Sequence, residues 1–280
     1  MRSTSDARAA VIAARLAALI VVSLLLVTPN MAAPARAHDF WIEPSAFKPS
    51  PGSIVAVHLW VGQDFAGDPV PRQSGAIEQF FIRQNGADAD IGGANHIDPA
   101  GLFRAGGDTT AAIGYRSSGS DIELPADKFE DYLRQYGLDA IVAERSRRGE
   151  AQKPGRERFF RYAKALLTGG RADATATRPL GFAYEIVPRD DPTVPLAGPL
   201  RGTILYDGKP LAGALVEALW RDDPSIKLAM RSDALGAFAF ALPRSGVWLI
   251  KSVHMVRAGF FSSADWDSHW ASLTCEVPGP

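Results

Sequence analysis

The sequence predicts a mainly β protein: two β-sandwich-like units, the first carrying a short helical insert, behind a cleaved N-terminal signal helix. Three observations lead there. Short apolar runs with strand-like alternation recur along most of the chain and are bounded by Gly, Pro and Asp. The 280 residues include 26 Gly and 20 Pro, the punctuation that many short strands need. Helical periodicity is confined to one stretch, near residues 126–147.

The elements follow in order. Arg2, Arg8 and Arg15 precede an apolar run from Leu16 to Val27, broken only by Ser23. Ala35-Arg36-Ala37 then has the small-x-small form that signal peptidase accepts. That run is about a dozen residues, short of the ~20 that span a bilayer. Residues 1–37 are therefore expected to be a signal peptide, with the mature protein in the periplasm and membrane contact only through the uncleaved segment.

Residues 38–190 are expected to form a β-rich domain. Ile54 to Val61 reads as a strand with Val55, Val57, Leu59 and Val61 on one face. Ile77–Arg83 and Thr109–Ser117 are further strands, separated by loop-like sequence. Phe129, Tyr132, Leu133 and Tyr136 recur at helical spacing before a stop at Gly137, and a second helical segment runs from Leu138 to about Arg147. The charged run 146–158 reads as a solvated loop, and Phe159–Leu167 fits helix or strand equally. Phe182–Val187 is a short strand. Pro188–Pro199 holds four prolines and is the best linker in the chain. Beyond it, residues 198–280 show cleaner β signals at Leu200–Tyr206, Ala214–Trp220, Lys227–Ser232, Ala237–Leu242, Val247–Val256 and Trp270–Val277.

Composition excludes several functions. Thirty basic against 31 acidic residues leave no electrostatic footprint for nucleic acid. Without residues 1–37, which hold four arginines and one aspartate, 26 basic and 30 acidic residues remain. A single cysteine, Cys275, rules out an intrachain disulfide framework or a Cys-ligated cluster, and it reads as a small core residue. No Walker loop, dinucleotide fingerprint or nucleophile elbow is present. The expectation is a protein that is not an enzyme.

What remains is imidazole chemistry. Cleavage after Ala37 makes His38 the N-terminus, where its amine and imidazole can close a chelate ring on one ion; such nitrogens suit Ni, Co, Cu and Zn. His58 lies opposite the Val/Leu stripe, and His96 falls in a Gly/Asn/Asp loop. His254 follows Trp248, Ile250 and Ser252 on one strand face, so it points into a mostly apolar layer and needs a partner. Asp265-Trp266-Asp267-Ser268-His269-Trp270 is the densest cluster of possible ligands and aromatics.

Several separated motifs are similar to one family of bacterial exported proteins. They are His38-Asp39-Phe40-Trp41-Ile42-Glu43-Pro44, Leu59 through Asp68, Arg161-Tyr162-Ala163-Lys164-Ala165-Leu166, Asp207-Gly208-Lys209-Pro210-Leu211-Ala212-Gly213-Ala214, Trp248-Leu249-Ile250-Lys251-Ser252-Val253-His254-Met255, and Ala264 through Thr274. In order and spacing the chain resembles domain-of-unknown-function family 4198, commonly described as the periplasmic component of cobalt or nickel uptake systems. It departs from the family's pattern at His269, where a large apolar residue is usual, and at Gln63, where a stronger ligand type is common. The resemblance implies a prealbumin-like or carboxypeptidase-regulatory-like sandwich for residues 198–280. It also implies a Ni or Co binding protein that delivers its ion to a membrane metal transporter. His38 and His254 would supply nitrogens, and Asp39, Asp265 or Asp267 would complete or orient the site. A copper protein built on the same histidines and a non-catalytic sandwich module for envelope interactions are the alternatives.

Overall fold

A computed structural model of the chain describes residues 38–279; the expected signal segment, residues 1–37, lies outside them. The fold is mainly β and sandwich-like. Its strands are β1 (Asp39–Pro44), β2 (Ile54–Gln63), β3 (Ala66–Val70), β4 (Ile77–Gln84), β5 (Ala87–Asp90), β6 (Gly101–Arg104), β7 (Ala111–Ser117) and β8 (Ser120–Leu124). Helices α1 (Ala126–Gln135) and α2 (Asp139–Arg147) follow. Then come β9 (Gly155–Leu167), β10 (Tyr184–Pro188), β11 (Leu200–Tyr206), β12 (Lys209–Pro210), β13 (Leu215–Trp220), β14 (Lys227–Arg231), β15 (Ala237–Phe240), β16 (Gly246–Arg257) and β17 (Trp266–Val277).

A nine-stranded sheet in the order β14-β13-β16-β17-β9-β7-β4-β5, with β8 also paired to β9, is the central wall. One face packs on the sheet formed by β10, β11, β12 and β15, where Trp248, Ile250, Leu273 and Cys275 meet Ile186, Ile204, Phe238 and Phe240. The opposite face receives the β1-β2-β3 sheet with β6, through Phe40, Ile42, Val57, Leu59, Ile113 and Ala165. It also receives α1, whose Phe129, Tyr132 and Leu133 pack with Val253, Met255, Trp266 and Trp270. Strand β1 is covered on both sides: Phe40 and Ile42 join the cluster on β7 and β9, while Trp41 meets Leu219, Val247 and Leu249. The central sheet must curl around it to do so.

The domain boundary expected between residues 190 and 198 is a correction. Parallel pairing of β17 with β9 runs from Trp266↔Glu157 to Cys275↔Leu166, so strands from both expected domains share one sheet. Residues 189–199 are a loop within a single hydrogen-bonded framework. The same pairing resolves Phe159–Leu167 as strand. With β17 on one edge and β7 on the other, every residue of that run is placed by a neighbour rather than by its own period. The charged run expected as a loop contains the end of α2 and the start of β9, and Arg145 just before it is buried against Glu130 and the Phe129 ring.

Two buried ion pairs tie the layers to the wall. Lys164 Nζ donates to Glu185 Oε1 at 2.5 Å on the β10 side, and the same carboxylate accepts backbone N–H groups of Leu180, Gly181 and Phe182. Lys251 Nζ donates to Asp39 Oδ2 at 2.6 Å on the β1 side.

Candidate functional site

Asp39 is fixed by that ion pair. It is 3% exposed, and its second oxygen accepts the Tyr136 hydroxyl at 3.3 Å. Lys251 also contacts Glu217 at 3.3 Å, and Glu217 holds Lys227 at 2.5 Å. Burial pushes the Asp39 carboxyl up, against the lowering effect of Lys251. Its oxygens are spent on holding β1 to β16 and to the end of α1.

Strand alternation then decides the geometry of the expected histidine pair. Lys251 and His254 are three residues apart on β16, so their side chains leave opposite faces of the sheet. Asp39, next to His38, bonds on the Lys251 face. His254 lies on the other, beside Tyr184 and Tyr206. The structure does not bring His254 to the start of β1. Asp265 is also elsewhere: Arg156 Nη2 and Nε donate to its carboxylate at 2.8 and 3.1 Å and hold its pKa down.

What meets His254 is His269, its register partner across β16 and β17. Asp267, two residues from His269, shares that face by alternation. The Tyr206 ring lies edge-on to both imidazoles, 4.6 Å from His254 and 5.2 Å from His269. Phe160 stacks on His269 at 5.4 Å, and the Tyr162 oxygen is 3.2 Å from its Nδ1. Asp207, in the turn after β11, acts electrostatically on His254 from the facing layer.

The electrostatics keep both rings neutral. Burial pushes His269 down to about 4, helped by His254. Burial also lowers His254, with Asp207 opposing. Asp267 is raised by burial and held back by Arg158. At neutral pH the pair therefore offers imidazole lone pairs without mutual repulsion. If Nδ1 of His269 donates to the Tyr162 oxygen, its Nε2 carries a free lone pair. Among the described residues, however, no three His, Cys, Asp or Glu side chains are placed to hold a metal ion together. An ion on this face would take two imidazoles and complete its shell from solvent or a small ligand.

The remaining candidates are engaged elsewhere. His58 Nδ1 faces both Asp98 oxygens at 3.0 and 2.9 Å on another surface, and His96 contacts Asn95. Cys275 is buried, and burial pushes its thiol well above the usual range, which makes it inert. Sequence reasoning missed Tyr206 and Asp207 because nothing near them hints at a histidine. Pairing β10 with β11 and laying that sheet on β16 is what delivers them.

Residues 35–256 match the family described as "Domain of unknown function (DUF4198)". No curated protein matches the chain. Among solved structures, the tetra-tandem repeat in the extending region of a large adhesion protein is similar at 9% identity. It covers 85% of this chain and 49% of that one, with a TM-score of 0.19. The D0-D1 domain of Intimin is similar at 10% identity over 85% of this chain and 98% of that one, with a TM-score of 0.19. Likeness this slight carries no functional meaning.

Proposed function

The chain belongs to the DUF4198 family, and on that premise we propose that it is an exported carrier of Ni²⁺ or Co²⁺ in the bacterial periplasm, delivering its ion to a membrane uptake system. The observation that carries this reading is the cross-strand pair His254 and His269, held neutral by burial beside Tyr206, with Asp267 on the same face. Two nitrogen donors and an otherwise open shell suit an ion that must be released again.

The test is a titration of protein beginning at His38 with Ni²⁺ and Co²⁺. Stoichiometric binding is expected, weakened about 10-fold or more in His254→Ala and in His269→Ala, by comparison with the 10–100-fold effects of outer-sphere changes. A His58→Ala variant should bind as the parent does. Affinity unchanged in both rim variants would overturn the reading. Cu²⁺ will compete at any nitrogen site, so the copper alternative is judged by oxygen or peroxide chemistry, which this reading does not expect.

A second reading, a sandwich module that docks on an envelope partner, has its own support. Phe260 and Phe261, at the β16–β17 hairpin tip, are 95% and 98% exposed and pack only edge-to-face on each other, 5.2 Å apart. Adjacent bare aromatics of this kind are unusual on a protein surface. Phe260→Ser/Phe261→Ser should leave metal binding intact while abolishing any partner association.

A further inference from the structure

On the β1 side of the central sheet, the face opposite the histidine pair, Arg161 occupies a position that its surroundings do not neutralise. It is half-buried on β9, with Phe159 and Ala163 along the strand and Ser117 and Trp270 across from it. None of these is a carboxylate. Its guanidinium sits over the Phe40 ring at 5.1 Å and the Phe159 ring at 4.9 Å. Among the described residues its side-chain N–H groups make no hydrogen bond or ion pair; only its backbone N–H is used, by Ser117 Oγ at 2.9 Å. Most other arginines here sit against carboxylates, as Arg83, Arg156, Arg158, Arg171 and Arg201 do.

The Tyr115 ring packs on the same Phe40, 4.9 Å away, and edge-to-face on Phe80 at 5.7 Å. Its hydroxyl also has no hydrogen-bond partner among the described residues. Arg72 lies over Phe80 at 5.6 Å, but its guanidinium is occupied by the carbonyls of Ile91 and Ala100. Burial pushes the Tyr115 phenol up while both Arg161 and Arg72 oppose it, so the two cations act on that hydroxyl. The result is a cluster of aromatic rings around one guanidinium fork and one phenol that have no hydrogen-bond partner among the described residues. A half-buried cation left in this state carries a desolvation cost that an anion would relieve.

We propose that Arg161 and Tyr115 form a binding site for the carboxylate group of a small organic acid. The planar fork of Arg161 would take both carboxylate oxygens in parallel N–H···O bonds, and the Tyr115 hydroxyl would donate a third. Cation–π contacts with Phe40 and Phe159 hold the fork in place before the ligand arrives. One unpaired cation matches one carboxylate charge; a phosphate or sulfate dianion would bring a second charge into an aromatic surrounding with only the already-engaged Arg72 to meet it.

The site is tested without metal, on protein treated with a chelator and then freed of it, so the result is independent of the Ni/Co reading. Calorimetric titration with butyrate and succinate should show saturable binding, and phosphate and sulfate should bind at least 10-fold more weakly. Arg161→Gln should lose 10-fold or more in affinity for butyrate. Arg161→Lys, which keeps the charge but not the fork, should also lose affinity, and Tyr115→Phe should lose severalfold. Urea midpoints show which variants fold, and Tyr115→Phe, which only removes an oxygen, carries the test if the arginine variants fold poorly. No saturable binding of either acid, undiminished binding in all three variants, or a preference for phosphate or sulfate would overturn the proposal.

Discussion

Glu157 and His269 show how single buried groups set opposite pH responses. Glu157 is 1% exposed on β9. Its Oε1 accepts the hydroxyls of Tyr132 and Ser268, while Oε2 has no partner among the described residues. Burial lifts this carboxyl from 4.5 to about 7. The folded state then binds more protons than the unfolded one between those values, so stability falls as pH rises through that window. The shift corresponds to about 3 kcal/mol. His269 works the other way. Depressed from 6.5 to about 4, it makes the unfolded state the greater proton binder, so its contribution is full above 6.5 and is lost as pH falls towards 4. Across the shared window the two trends oppose each other. Urea unfolding from pH 4 to 8 should therefore show Glu157→Gln gaining stability above pH 7 and His269→Phe gaining at the acid end. Parallel profiles for both variants and the parent would refute the assignment.

At the scale of elements, close approach and buried charge fix the positions. Gly155 opens β9 directly against the Phe129 ring of α1, where an added Cβ would stand 2.3 Å from ring carbons. Gly155→Ala should cost about 1–3 kcal/mol through overpacking. Combining it with Phe129→Leu should cost less than the sum of the two single changes, since they share one space; denaturant midpoints of the four proteins test this. Strand β1 depends instead on Lys251. Lys251→Met would leave Asp39 and Glu217 buried side by side without their shared cation, a loss of about 3–5 kcal/mol. Much of that loss should be recovered when Asp39→Asn is added.

For the whole molecule, the shared sheet predicts one cooperative unit between residues 38 and 279. Fluorescence and far-ultraviolet signals should lose structure together in urea. A fragment of residues 38–190 should fail to fold, because β9 would lose its pairing with β17 and the faces of the wall that cover β1 and α1 would be missing. Cleavage within 189–199 of the intact protein should leave the two pieces associated. Two separate unfolding transitions would restore the two-domain organisation that the proline-rich linker suggests.

The sequence by itself determined what depends on near neighbours. Alternation marked most strand positions of the long strands, from Ile54–Val61 to Val247–Val256, within a residue or two; Gly and Pro marked the turns; and the i, i+3, i+4 spacing of Phe129, Tyr132 and Leu133 marked α1 and its buried face. These signals are local because the periods of strand and helix are local. Which strands meet was decided only by the tertiary structure. Phe159–Leu167 became strand because β7 and β17 flank it, and β1 was buried on both sides because the sheet curls around it. For the candidate site the difference is sharper. Alternation correctly sent His254 into the layer beneath β16, but its partner was expected at His38. The hydrogen-bond register instead set His269 across from it, and sheet packing brought Tyr206 from the facing layer. Pairing and packing join residues far apart in sequence, and no short-range pattern carries that information.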